Sequence, residues 1–413
     1  MRRWLLALIA LGAADLIGAH VLSRMRPDID LPLAERQRLA RLQQESVERQ
    51  YRIESAVFDH DLAKQYDGFA WWGPLRYRIT TNSLGFKDAS RRVVAPRAPG
   101  RRVLLLGDSF TEGIGLNYAD SYAGRIASHL GREGAEVLNG AVTSYSPAIY
   151  YAKTRYLLDT IGLRLTDVVV FIDISDAEDE ARFYDLHADG HVTRMPDQQP
   201  GRGPEFEVAD LAGAPVPPPP TLTAGGYSAQ TVETRPTPTP RELPASDSDT
   251  NVVPAFLKRH SVIVRAFERL REWERSANDV TEYPQANPRR GLWTIDERDY
   301  DAFGRDGLRL GSRHMDALAA LLRRHGIALT IAVYPWPEQL RYDSAESIQV
   351  RYWREWAGRR GVRFVDLFGP FFRNPDRAST IRRFYIAGDV HFNSEGADFV
   401  ATEFLAQWNG PRT

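Results

Sequence analysis

A chain of 413 residues can bury a large core, and its length allows one large domain or two smaller ones. Its 53 Lys and Arg nearly cancel its 54 Asp and Glu; the formal net charge of −1 excludes a global attraction to nucleic acid or anionic lipid, so any partner must be recognised locally. The absence of cysteine excludes disulfides, thiolate metal sites and a cysteine nucleophile.

Arg2 and Arg3 precede an apolar run at residues 4–14, which resumes at residues 16–22 around His20. Basic residues before an apolar stretch favour a cytoplasmic N-terminus, so the rest of the chain is expected on the periplasmic, extracytoplasmic side. Two readings stay open for residues 1–24. As an uncleaved transmembrane anchor in the inner membrane, residues 4–22 are about long enough to span a bilayer, with Asp15 inside at a cost of roughly a few kcal/mol. As a cleaved signal, the run ends near Gly12, cleavage follows the small residues near Ala14, and the protein is secreted. Continuation of the apolar pattern past Asp15 favours the anchor.

Residues 25–100 read as a lead-in to the main domain. Residues 33–55 are rich in Gln, Glu, Arg and Leu, which predicts a solvated juxtamembrane helix. Residues 58–92 are aromatic and irregular, with Trp71, Trp72 and Tyr77. Their Thr81-Asn82-Ser83-Leu84-Gly85-Phe86 stretch predicts a short β-rich segment with a turn.

From residue 101 to 413 the pattern is that of an α/β domain. Val103-Leu104-Leu105-Leu106 is a short apolar run stopping at Gly107, as a strand buried on both faces does. A helix is predicted at residues 118–131, a strand at 136–139, a helix at 150–161 and a strand at 168–172. That alternation has βαβ spacing and predicts a parallel sheet with helices on both faces. Residues 195–251 break it with dense Pro, Gly, Ser and Thr, a composition that cannot bury a core and predicts a flexible Pro-rich insertion. Residues 252–274 resume as an amphipathic helix. A helix at 310–325 stopped by Gly326, a strand at 327–334 stopped by Pro335 and Pro337, a helix at 352–360 and a strand at 362–366 follow. Asn393 can cap a final helix. The five strands predict one doubly wound, three-layer α/β domain interrupted by the insertion.

Ser109 falls just past the carboxyl end of the first strand, the edge where open α/β sheets bind ligands. A serine hydroxyl is a weak nucleophile until a base takes its proton. His391 is the candidate base, and Asp389, two residues earlier, can hold its other ring nitrogen and fix the tautomer. The pair lies in a loop before the last helix, at the same sheet edge.

These blocks resemble the SGNH/GDSL hydrolase superfamily. Gly107-Asp108-Ser109-Phe110-Thr111-Glu112-Gly113 is similar to its first block, Val137-Leu138-Asn139-Gly140-Ala141 to its second, and Asp389-Val390-His391-Phe392-Asn393 to its last. The resemblance covers roughly residues 101–180 and 317–408. It implies a flavodoxin-like fold with strand order 2-1-3-4-5, Ser109 as nucleophile, His391 as base and Asp389 as orienter. It also implies an oxyanion hole built partly from the N–H groups of Ser109 and Gly140. No cofactor or metal is implied. An anchored N-terminus with an exported domain is similar to SGNH-like proteins acting on bacterial surface glycans, so the expected substrate is an acyl ester, chiefly acetyl on a glycan. A membrane acyl-transfer partner enters if the enzyme is a transferase.

The third block departs from the family. Where the superfamily has Gly-x-Asn-Asp, with the Asn donating to the oxyanion, this chain has Asp173-Ile174-Ser175-Asp176. Ser175 stands in place of the Asn with a shorter donor, and a carboxylate of Asp173 or Asp176 facing the oxyanion would repel it. Losing one oxyanion donor costs about 10²–10³ in rate. Asn139 is a candidate substitute. This departure motivates a second expectation, a catalytically weak glycan-binding or scaffold protein of a surface-polysaccharide assembly.

Trp336, in Tyr334-Pro335-Trp336-Pro337, is a candidate sugar-stacking residue at the same edge, with a strand-ending loop as the plainer role. Trp71 and Trp72 are expected chiefly in lead-in packing rather than in a carbohydrate site. The acidic run Asp173, Asp176, Glu178, Asp179 and Glu180 matches no calcium-loop spacing and is expected to be solvated or helix-capping. His187 and His191 are expected at the surface.

Overall fold

The computed structural model describes residues 12–18, 20–21, 46–73, 75–195, 261–264 and 288–409. Gln43–Pro220 with Val280–Thr413 forms one compact unit, and Met1–Leu42 with Thr221–Asp279 another. In the second unit the described pieces are short helical stretches, where Asp15 accepts from the Ile263 N–H at 3.1 Å. Much of the expected anchor lies outside the described residues; among those described, no helix is long and apolar enough to cross a membrane. The expected insertion, from residue 196 on, also lies outside them, as does most of the amphipathic helix after it, of which residues 262–264 are helical.

The first unit opens with two antiparallel hairpins. β1 (Arg52–Ser55) pairs with β2 (Asp59–Leu62), and β3 (Asp67–Trp72) with β4 (Leu75–Thr80). The helix expected across residues 33–55 is therefore too long. Its described part, residues 46–51, ends where Arg52 enters β1 and delivers its guanidinium to the buried Glu112. Residues 33–45 lie outside the described residues.

The α/β core follows. β5 (Arg102–Leu106), β6 (Glu136–Asn139) and β7 (Asp167–Ile172) precede a small hairpin of β8 (Tyr184–Leu186) and β9 (Val192–Arg194); β10 (Ala328–Val333) and β11 (Arg363–Asp366) complete the sheet. The five-stranded sheet is parallel throughout, in the order β11-β10-β7-β5-β6. Counted along the chain this is 2-1-3-4-5, the order the resemblance implies. All five residues of β5 are buried because helices cover both faces, which is why the strand reads as a continuous apolar run.

The direction of the crossovers locates the site. The chain steps outward from β5 to β6, then back across β5 to β7. Right-handed connections therefore put helix Tyr122–Arg132 and helix Pro147–Arg155 on opposite faces. The first packs on helix Ser394–Trp408, the second on helix Arg305–Arg324. Between the carboxyl ends of β5 and β7 the strand order reverses, opening the crevice into which the Ser109 and Ser175 loops project. Helices Pro147–Arg155, Arg305–Arg324 and Ile348–Arg360 begin earlier than their periodicity predicts, and helix Tyr122–Arg132 begins later, after a short turn at Tyr118–Asp120. π-Helical turns at Tyr156–Thr160 and Tyr300–Gly304 shift the phase of the apolar stripe.

Candidate active site

β5 ends on Gly107, where any Cβ would collide with the Thr111 side chain and crowd the carbonyl of Phe171. The chain can turn there only without a side chain. Asp108 caps the short helix Ser109–Glu112 by accepting from the Phe110 N–H at 3.0 Å, which sets Ser109 at its first position. Gly113 closes that helix in the left-handed region (φ 81°).

The opposing loop is held as firmly. The Ile386 N–H donates to the His391 carbonyl and the Asp389 N–H to the Ile386 carbonyl, while Asn393 caps the last helix through the Gly396 N–H. This geometry brings together Ser109, His391 and Asp389, which lie 282 and 2 residues apart in turn. His391 Nε2 is 2.8 Å from Ser109 Oγ, and His391 Nδ1 is 2.6 Å from Asp389 Oδ1, which also accepts from the His391 backbone N–H at 2.9 Å. With Nδ1 donating to the carboxylate, Nε2 is left as the acceptor for the serine proton. Burial alone would raise the Asp389 carboxyl. The His391 charge, its two hydrogen bonds and one from Trp72 instead hold it below the ordinary carboxylate value.

Trp72 comes from the lead-in. Its indole N–H donates to Asp389 Oδ2, and its ring stands edge-on to the imidazole, 5.0 Å between centroids at 85°. Phe110 covers the imidazole at 4.7 Å. Trp72, expected chiefly in lead-in packing, is buried, yet it touches the Asp–His pair and lines the cavity in front of Ser109.

That cavity is lined by Trp72, Ser109, Ser144, Ser175, Arg290 and Trp336, among others. Gly140 is not among them. Its N–H donates to the Leu105 carbonyl at 2.9 Å, extending the β5–β6 ladder, and cannot also meet an oxyanion. Asn139 is not among them either. Its amide donates to the Thr111 carbonyl at 2.8 Å and accepts from the Ala141 N–H, so it ties two loops together and does not bind substrate. The residue that reaches the cavity is Ser144, whose backbone is left-handed (φ 63°), a conformation that costs a non-glycine residue roughly 1–2 kcal/mol. Thr143 holds it there: its N–H and hydroxyl donate to Glu112 Oε2 at 2.8 and 2.9 Å, and its carbonyl lies 2.8 Å from His60 Nε2. Among the described residues, the N–H groups of Ser109 and Ser144 have no acceptor. Ser175 also lines the cavity, with its own N–H turned back to Asp173 at 2.7 Å.

The acidic run is buried, not solvated. Its partners lie far along the chain. Arg290 pairs with Asp179 at 2.5 Å and Glu178 at 2.9 Å, and Glu180 takes His314 at 2.5 Å and Ser146 at 2.7 Å. Trp336 does not offer a free face for stacking; buried, it wedges against the cavity with its N–H on Asp173 at 2.7 Å. His187 and His191, expected at the surface, are both partly exposed.

Asp108, Asp173 and Asp176 bring carboxylate oxygens within 4.8 Å of one another, all buried; among the described residues this is the one group of three with such spacing. Donors already serve them: Tyr334 on Asp108, Trp336 on Asp173 and Tyr150 on Asp176. Burial, then the charge of neighbouring carboxylates, pushes Asp108 and Asp176 well above the ordinary carboxylate value. Neither Asp173 nor Asp176 lines the cavity, so neither carboxylate faces it directly; Asp108 does, with Oδ2 3.3 Å from Ser109 Oγ.

A stability prediction follows from the same burial. Asp179 is pushed up to about 7 from 3.8, chiefly by burial, with Arg290 opposing. An acid raised in the folded state contributes its full stability below 3.8 and loses it as pH rises toward 7, by up to about 1.4 kcal/mol per pH unit. Asp108 and Asp176 act in the same direction. The thermal midpoint is therefore expected to fall between pH 5 and pH 8; a midpoint that climbs over that range contradicts the upward shift of these buried acids.

No family model matches the chain, and no curated protein does. Solved structures similar to it include TesA, at 11% identity over 75% of this chain and 98% of that one, with a TM-score of 0.36. The psychrotrophic esterase EstA from Pseudoalteromonas sp. is 9% identical over 75% and 97%, with a TM-score of 0.35. Axe2, an acetylxylan esterase from Geobacillus stearothermophilus, is 11% identical over 77% and 99%, with a TM-score of 0.34.

Proposed function

We propose that this chain is a serine-dependent acyl-ester enzyme of the SGNH type, an esterase or O-acyltransferase acting on short acyl esters such as glycan acetates. The observation that carries this reading is the hydrogen-bonded chain from Ser109 through His391 to Asp389 at the mouth of a cavity. Ser109 Oγ attacks the ester carbonyl as its proton passes to His391 Nε2. The oxyanion meets the N–H groups of Ser109 and Ser144 and the Ser175 hydroxyl. His391 then returns the proton to the departing alcohol, leaving an acyl group on Ser109. Attack by water releases the acid and gives an esterase, whereas attack by a sugar hydroxyl gives a transferase.

A short acyl group is favoured by the cavity walls. Trp72 and Trp336 flank it with indoles pinned by their N–H groups to Asp389 and Asp173, so neither can swing aside for a long chain. Rates on aryl esters of increasing acyl length test this, with and without added oligosaccharide acceptor. Acetyl is expected to exceed octanoyl by at least about ten-fold in kcat/KM; a preference for octanoyl sinks the short-acyl assignment. Ser175 in place of a longer amide donor favours the second reading, a weakly active glycan-binding protein, and undetectable turnover of every ester would support it.

A further inference from the structure

We propose that Trp72 is a positioning residue of the Ser109–His391–Asp389 chain, so that the β3–β4 hairpin, outside the α/β layers, completes the reaction centre; the inference rests on the ester reading above. Trp72 is the last residue of β3, paired with Leu75 across the turn. Alternation turns Ala70 and Trp72 inward, where both are buried, and leaves Phe69 and Trp71 on the outer face under Arg76. The hairpin is a stiff carrier. Tyr77 and Ile79 of β4 are buried, the Arg78 N–H donates to Asn117 Oδ1 at 2.9 Å, and Lys87, just beyond β4, donates through Nζ to the carbonyls of Gly113 and Leu116. Those contacts fix the lead-in to the segment that follows the Ser109 helix.

The Asp389 carboxylate is fully enclosed, and its two oxygens divide their work. Oδ1 takes both N–H groups of His391, and Oδ2 takes the Trp72 indole; among the described residues no other donor reaches Oδ2. Without the indole N–H, that buried oxygen has no partner and the carboxylate loses one of the contacts that fix its angle to the imidazole. Negative charge would also concentrate on Oδ1 and hold the imidazolium more tightly. The other titratable or charged groups around the pair are Asp108 from the turn after β5, Glu338 from helix Pro337–Tyr342, Arg290 from the turn Pro288–Gly291 and Asp173 after β7, whose carboxylate takes the Trp336 N–H. None of them donates to Asp389.

Two replacements in the full chain separate the N–H from the bulk of the ring. Trp72→Phe removes both the donor and part of the volume. Replacement of Trp72 by 3-benzothienylalanine keeps the bicyclic shape and puts sulfur where the N–H was. The readouts are the pH profile of kcat/KM and the His391 imidazole titration, followed by NMR of ¹³C-labelled histidine with His391→Gln to assign the signal. Both replacements are expected to lower kcat/KM about ten-fold, mainly through kcat. Both are expected to move the acid limb of the kcat/KM profile, because the Asp389 carboxylate loses a donor that helps hold it charged. A benzothienylalanine protein with wild-type titration and rate overturns the proposal and leaves Trp72 a wall residue. A wild type that turns over no ester contradicts the ester reading instead, while the imidazole titration still decides whether Trp72 acts on the Asp389–His391 pair.

Discussion

Ser109→Ala should abolish ester turnover, lowering kcat by roughly 10⁵–10⁶ while the residual rate reflects binding and the oxyanion donors alone. The size of the loss follows from how few atoms stand ready to react. Ser109 Oγ touches His391 Nε2 at 2.8 Å and Asp108 Oδ2 at 3.3 Å, and among the described residues no second hydroxyl shares the imidazole. The fold should survive, since Ala fills nearly the same space at the first position of the Ser109–Glu112 helix and the Asp108 cap is to the Phe110 N–H, not to Ser109. Its thermal midpoint should stay within a few degrees of wild type. Measured on an acetyl ester with the purified catalytic unit, a variant keeping even a hundredth of wild-type kcat would remove Ser109 from the mechanism.

His391→Ala should cost about as much, and adding it to Ser109→Ala should cost nothing further, because the two residues act as one unit. Among the described residues Asp108 is the one other titratable group on the Ser109 hydroxyl, and it is poorly suited to stand in as base. Burial and the charge of Asp173 push its carboxyl well above the ordinary value, and Tyr334 and the Phe110 N–H already occupy Oδ1. The expected signature is therefore a flat, very low rate between pH 6 and pH 9. A rate in His391→Ala that recovers by more than about ten-fold as pH rises would point to Asp108 or hydroxide serving efficiently in its place.

What the sequence disclosed and what it withheld divide along the range of the interactions. The five strands were legible because each is a short apolar run covered on both faces, and a run such as Val103-Leu104-Leu105-Leu106 needs no distant partner to be recognised. The positions of Ser109, Asp389 and His391 were legible because sheet topology brings the ends of β5 and the last helix to one edge. Trp72 was not, since its bond to Asp389 spans 317 residues and nothing in a pair of adjacent tryptophans tells which one turns inward. The acidic residues after β7 looked solvated because their partners Arg290 and His314 lie 111 and 134 residues downstream. Ser144 was hidden for another reason. The resemblance assigns the oxyanion N–H to Gly140, whereas the chain places a serine in the left-handed conformation beside the cavity and braces it through Thr143, Glu112 and Arg52.

The bracing explains why the lead-in and the α/β layers form one unit. Arg52 of β1 grips Glu112 with both terminal nitrogens at 3.1 Å, Glu112 holds Thr143, and His60 of β2 closes on the Thr143 carbonyl. Burial would raise the Glu112 carboxyl, but Arg52 and then Lys87 keep it below the ordinary value and charged. One end of the cavity is thus set by the first hairpin and the other by the second.

The central claim is that Ser109 is a nucleophile activated by His391, and covalent trapping tests it most directly. The protein should be treated with a serine-reactive fluorophosphonate and the adduct mapped by mass spectrometry. The account predicts a single modified residue, Ser109, with labelling lost in Ser109→Ala and strongly slowed in His391→Ala. An unmodified Ser109 in folded protein, or a label that maps to another serine such as Ser144 or Ser175, would contradict it.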